Sequence, residues 1–188
     1  MRGMESLVCT VFIGLSIKEE ADMFSEQNEG TKKLTPYDTF KANFCRGEAT
    51  DTAIKRVCDS YGIQVEKSSK AKTLKSVTAA REVVKNYGSK VLAGTFEVFR
   101  KCGWDDFKDT YRADIVRVIT EVRMDYANNV NLIDEKLVDY FEDKTPADIV
   151  SSANVKYSHY GRQTRLKKYV NDIVADPSGK VSSIRKIS

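Results

Sequence analysis

The chain has 188 residues, 41% of them hydrophobic, with a formal net charge of +4, four Cys, ten Gly, three Pro and a single His. Such a composition suits one medium-sized domain or two tight subdomains and excludes a disordered chain. No apolar run approaches the ~18 residues of a bilayer span, and with His159 as the one imidazole there is no multi-His metal site and no histidine relay.

In chain order, the Val-, Ile-, Phe- and Thr-rich run from about Ser6 to Ile13 predicts a buried strand rather than a secretory leader. Glu5 interrupts the basic start, and a capped helix follows at once. Ser16-Ile17-Lys18-Glu19 reads as a capping box, with a helix to about Asn28 broken by Asn28-Glu29-Gly30. Thr35-Pro36 opens a second helix with Tyr37, Phe40 and Phe44 at helical spacing, ended by Arg46-Gly47. Ala53, Ile54, Val57, Cys58 and Tyr61 line a third, stopped by Gly62, and Ile63-Gln64-Val65 is a short strand candidate.

Past a polar, basic segment from Glu66 to Lys72, Thr73 is expected to cap a helix with Leu74, Val77, Val84 and Tyr87 inside, stopped by Gly88. The next helix carries Val91, Leu92, Phe96, Phe99 and Cys102. The clearest amphipathic stretch runs through Tyr111, Ile115, Val118, Ile119, Val122 and Tyr126. Ile133, Leu137 and Phe141 mark another helix, Thr145-Pro146 opens one with Ile149, Val150 and Ala153 inside, and the last buries Leu166, Tyr169, Val170 and Ile173. The fold class is therefore mainly α: a multi-helix bundle of about nine helices with a small N-terminal β element of one or two strands. The expected division is 1–66 (a strand plus three helices), 67–176 (a helical domain) and 177–188 (a flexible basic tail).

Cys9, Cys45, Cys58 and Cys102 have no metal-ligand spacing and read as free thiols of a reducing cytoplasm. Asp105-Asp106 and Glu142-Asp143 are paired carboxylates at helix ends, where the dipole and solubility explain them better than acid/base work. No glycine-rich phosphate loop exists, and His159 sits in an expected turn. The sequence assigns no catalytic residue, no metal ligand and no cofactor.

Polyanion contacts are better motivated. Residues 151–188 hold eight Lys and Arg against two Asp, leaving +6 there and −2 on the remainder. Lys156, Arg162, Arg165, Lys167 and Lys168 cluster across the last helix pair. Lys167 and Lys168 are expected to point away from Leu166, Tyr169 and Ile173, and Tyr157 and Tyr160 are available to stack on bases. A second cluster, Lys67, Lys70, Lys72 and Lys75, is expected to surround the helix N-terminus at Thr73, where backbone N–H groups and the dipole favour a phosphate. For either cluster, a merely solvated basic face is the competing reading.

The run from Leu7 to Ala21 (LVCTVFIGLSIKEEA), with Phe24 and Asn28, then Leu34 to Ala42 (LTPYDTFKA) and Arg46-Gly47-Glu48, resembles the closing part of ParB/sulfiredoxin-type nuclease-like domains of phages and plasmids. The resemblance is clearest over about the first 65 residues. In that family a Gly-x-x-Arg or Gly-x-His-Arg motif that contacts phosphate or nucleotide lies upstream of the strand beginning here. The resemblance therefore transfers no active-site residue and implies a scaffold that binds without catalysing.

The leading expectation is a non-enzymatic nucleic-acid-associated protein of phage or plasmid origin, binding DNA ahead of RNA, cytoplasmic (in the host cell if phage-encoded) and not membrane-bound, with homodimerisation left open. The alternative is a phage-encoded, anti-CRISPR-like inhibitor that binds a host nuclease effector or its nucleic-acid channel. A residual metal-dependent nuclease using Asp105, Asp106, Glu142 or Asp143 ranks last.

Overall fold

The computed structural model of the chain describes residues 11–28, 34–68 and 70–175. Among them are nine α-helices and two very short strands, a mainly α bundle with a small β element. Helix α1 (Ile17–Asn28) starts at the expected capping box, where the Ser16 N–H donates to Glu19 Oε2 at 2.8 Å and Glu19 N–H donates back to Ser16 Oγ at 3.3 Å. Helix α2 (Pro36–Cys45) is capped by Thr35, and α3 (Ala49–Ser60) by Glu48. Of the expected first strand, residues 6–10 lie outside the described residues, while Val11, Phe12 and Ile13 form no strand and are exposed. Cys9, Ser69, the break at Glu29-Gly30 and the tail from Pro177 also lie outside the described residues.

Strand β1 (Gln64–Val65) falls where the Ile63-Gln64-Val65 run predicts it. Its partner corrects the reading of the following segment. Thr73 and Leu74 form β2, parallel to β1 with Gln64 opposite Thr73 and Val65 opposite Leu74, and helix α4 (Val77–Tyr87) starts only after Ser76. Leu74 is fully buried, but as a strand residue; α4 buries Val77, Ala79, Ala80 and Val83, leaving Val84 half-buried and Tyr87 exposed. The physical reason is backbone pairing: Gln64 N–H donates to Lys72 O at 2.8 Å, so 72–74 are held in the ladder and cannot enter a helix. Lys72 takes φ +51° to turn the chain into β2.

Helices α5 (Ser89–Lys101), α6 (Ala113–Asp125), α7 (Val130–Phe141), α8 (Pro146–Lys156) and α9 (Arg162–Ala175) follow in the expected order. Helix α6 is the spine, packed by α4, α5, α7 and α9. It therefore buries more than its amphipathic stripe: Val116, Thr120 and Arg123 are buried along with Ile115, Val118, Ile119 and Val122. A 3₁₀ turn at Trp104–Asp106 delivers Trp104 into the core against Phe99 and Phe141, ring centroids 5.6 and 5.4 Å away. Its indole N–H donates to Lys144 O at 2.7 Å, satisfying the one polar atom it buries.

Residue 66 marks no break in this core. Phe40, Ile54 and Cys58 belong to the same apolar cluster as Leu92, Phe96, Leu137 and Val170. A bidentate pair, Arg81 Nε and Nη2 each 2.6 Å from the fully buried Asp51 carboxylate, ties α4 to α3 across that point. Helix α1 stands at the periphery on α2, held by Arg46 against Asp22. No described helix is long and apolar enough to cross a membrane.

Candidate nucleic-acid interface

Three clefts join end to end along α6. The first, about 410 Å³, lies between the N-termini of α2, α4 and α6 and is lined by Thr35, Pro36, Tyr37, Lys67, Lys75, Ser76, Val77, Thr78, Arg112 and Ala113. The second, about 400 Å³, shares Arg112 and Ala113 with it and adds Asp114, Arg117, Arg162 and Gln163. The third, about 460 Å³, shares Gln163 and continues past Glu121, Thr164, Lys167, Lys168 and Asn171 along α9. The three form a row of clefts along α6, a groove with Lys67 and Lys75 towards one end and Lys167 and Lys168 towards the other.

Four helix N-termini open onto this groove: α2, α4, α6 and α9. Ser76 of α4 makes no side-chain cap, whereas at α6 the Ile115 N–H already donates to Asp114 Oδ1 at 3.2 Å and at α2 Thr35 Oγ1 accepts from the Asp38 N–H at 3.3 Å. Each such end carries roughly half a positive charge, which favours anions.

The cations of the groove are held by acids. Lys67 Nζ donates to both Asp38 oxygens, at 2.8 and 3.0 Å, and sits 5.5 Å from the Tyr37 ring centre. The bond from Lys67, with help from Thr35, holds the Asp38 carboxyl below its ordinary range. Arg112 Nη2 and Arg162 Nε both contact Asp114 Oδ2, at 2.9 and 2.8 Å. Arg117 pairs with Glu82 through Nε and, at 3.0 Å, through Nη2, which lowers the Glu82 pKa.

Lys167 corrects the helical-face reading. It does not point away from the body; its Nζ lies 3.0 Å from Glu121 Oε2 and 3.3 Å from Asp125 Oδ2, both on α6. Helix α9 is covered on more than one side, so a residue beside Leu166 meets α6 rather than water. Burial pulls the Lys167 pKa down, but Glu121 and Asp125 outweigh it and the net shift is upward. Lys168 lies over the Tyr160 ring, 4.6 Å from its centre.

The other predicted residues are placed differently. Arg165 is half-buried, with Nε lacking a partner among the described residues. Lys156 lies off the groove and pairs with Asp172 at 2.6 Å, and Tyr157 also donates to that carboxylate. Lys70 and Lys72 are exposed in the β1–β2 loop and line no part of the groove, while Lys75 does. The helix N-terminus that Lys67 and Lys75 flank is at Val77, not Thr73. His159 is exposed in a turn. Asp105 accepts from the Tyr111 hydroxyl at 2.9 Å, and no described group of three His, Cys, Asp or Glu could hold a metal ion.

Arg112 and Arg117 are groove residues that the sequence reading missed. Arg112 is the extended residue just before α6 and Arg117 lies inside the helix, so no helical periodicity marks them as a pair. Only the neighbours, α9 for one and α4 for the other, bring them to one surface.

No curated protein and no solved structure matches the chain. A family model does, over residues 3–186, and the chain belongs to the family that it describes, the Family of unknown function (DUF6551).

Proposed function

We propose that the protein is a non-enzymatic nucleic-acid-binding protein of phage or plasmid type that acts in the cytoplasm and tracks a phosphate backbone, DNA ahead of RNA, along the α6 groove. The observation that carries the reading is the convergence of four helix N-termini with Lys67, Lys75, Arg112, Arg117, Arg162, Lys167 and Lys168 on one groove. Backbone N–H groups, dipole ends and cations are the three elements with which proteins hold phosphates without reading bases. Fluorescence anisotropy with a labelled duplex is the test. The expected result is binding at low salt that weakens steeply as salt rises, by a log–log slope of about 0.9 for each phosphate neutralised. Absence of DNA and RNA binding at low salt would overturn it.

A second reading, an inhibitor of a host nuclease effector, is favoured by one feature: Asp38, Asp114 and Glu121 sit among the cations, so the groove is a surface of mixed sign, as a protein partner requires. A pull-down from host lysate with and without nuclease treatment separates the two. Recovery of an effector that survives digestion supports the inhibitor; recovery only with nucleic acid intact supports the binder.

A further inference from the structure

The turn between α8 and α9 stands at the Lys168 end of the groove and carries exposed aromatic surface. Tyr157 and Tyr160 both lie in it, and the Tyr160 N–H donates to Tyr157 O at 3.1 Å. The structure separates their roles. Tyr157 is half-buried, packs on the apolar core and donates its hydroxyl to Asp172. Tyr160 is 46% exposed and rests on Tyr157, with ring centroids 6.2 Å apart at 65°. The exposed ring is held by a neighbour that is itself fixed, so little ordering remains to be paid when a ligand packs on it. Lys168 joins this ring to the groove. It lines the third cleft, and its Nζ lies 4.6 Å from the Tyr160 ring centre. Unlike Lys67, Arg112, Arg117, Arg162 and Lys167, it makes no ion pair among the described residues. Asp172, whose carboxyl feels the Lys168 charge, is itself bonded by Lys156 and by the Tyr157 hydroxyl.

An exposed aromatic ring beside an ammonium that no acid bonds supplies the two parts that hold a nucleotide without reading its identity: a face for the base and a charge for its phosphate. Inside a duplex the bases are stacked on one another and show only their edges in the grooves. An unpaired base has its face available. We propose that Tyr160 and Lys168 form a stacking site for an unpaired nucleotide, with Tyr157 as the positioning residue that sets the Tyr160 ring on the core. The inference rests on the nucleic-acid reading and deepens it by naming the form of the ligand, a strand with exposed bases whose backbone enters the groove beside Lys168.

The test is fluorescence anisotropy of the full chain with two labelled strands of equal length and charge, oligothymidylate and a wholly abasic deoxyribose-phosphate strand, with a blunt duplex alongside. Both strands offer the same phosphates, and only one offers bases. Oligothymidylate should bind about tenfold more tightly than the abasic strand, the size of one base–aromatic stack. Equal binding of the two strands overturns the stacking site while leaving the groove reading standing. Absence of binding to all three, the duplex included, overturns the groove reading and the site with it. Tyr160→Ala should cut the ratio to about threefold or less, whereas Tyr160→Phe, which keeps the ring, should retain it. A ratio that Y160A leaves untouched in a variant with the parent's unfolding midpoint also overturns the assignment. Tyr160→Trp supplies a signature that a loss of fold does not imitate. Trp104 is the one native indole and is buried, so the added emission should be quenched by oligothymidylate and not by the abasic strand. Quenching by both strands alike would count against stacking and overturn the site.

Discussion

A β-carbon added at Gly94 would lie 2.5 Å from Arg123 Nη2. That arginine is 5% exposed, pairs with Asp134 at 2.6 and 2.9 Å, and donates to Val91 O and Thr95 Oγ1, both at 3.1 Å. Glycine inside helix α5 is there for space and not for backbone freedom. Two effects oppose each other in Gly94→Ala: helix propensity favours alanine by about 1 kcal/mol, while displacing a buried, fully bonded guanidinium costs more. The expected outcome is a net loss of about 2 kcal/mol in urea unfolding. Asp134→Ala, which strands the charge altogether, should lose about 3–5 kcal/mol. An unchanged midpoint in G94A would mean that Arg123 can leave its site without penalty. Burial accounts for Cys58 and Cys102 and pushes both thiols up to about 12, so neither is a nucleophile at neutral pH, whereas Cys45 is exposed.

The helices of this chain are specified largely by their ends. Thr145 and Asp148 form a reciprocal cap, with the Thr145 N–H donating to Asp148 Oδ2 at 2.9 Å and the Asp148 N–H to Thr145 Oγ1 at 3.2 Å. Thr35 and Asp38 repeat the arrangement at α2. Thr145→Ala should cost about 1 kcal/mol, a fall of roughly 2–4 °C in thermal midpoint for a chain of this size. The pH dependence follows with a definite sign. Bonds from Thr145 hold Asp148 below its ordinary range, and Lys67 and Arg117 do the same for Asp38 and Glu82. Carboxyls depressed in the folded state stabilise it fully above the ordinary carboxylate pKa of about 4, and that contribution is lost as pH falls through the depressed values. Thermal midpoints measured from pH 7 to 3 should therefore hold steady above about pH 5 and fall below about pH 4. The fall should be shallower in T145A, and identical pH profiles would remove Asp148 from the account.

At the scale of the whole molecule, α6 both fills the core and floors the groove, so stability and binding are entangled there. Lys167 shows the difficulty. Lys167→Glu would place a third acid beside Glu121 and Asp125 on the α6–α9 contact, and should lower the unfolding midpoint before it says anything about DNA. Lys168, over the Tyr160 ring at the groove rim, is separable. Lys168→Gln should leave the midpoint within about 0.5 kcal/mol of the parent while weakening duplex binding and reducing the salt slope by about 1. A charge reversal of Arg165, Lys167 and Lys168 together would therefore confound folding with function.

Local chemistry was enough for most of the fold. The Ser16 and Thr145 boxes, the Thr-Pro starts and the apolar spacing from Ile115 to Tyr126 each act within a turn or two of chain, so the helix order can be read without knowing what the helices touch. Thr73 shows where that reading stops: its strand state depends on pairing with Gln64 across a loop, a contact no local pattern records. The candidate site divides the same way. Lys67, Lys75, Arg162, Lys167 and Lys168 stood out by charge density, but Arg112 and Arg117 did not, and the direction of Lys167 was misread because α6 lies beside it. Composition and short-range spacing determined that this is a basic-ended, mainly α chain; only the packing of α4 and α9 against α6 decided which cations share a surface. Helical periodicity fixes a side chain's angle about its own axis and carries no information about which neighbour fills the space it faces.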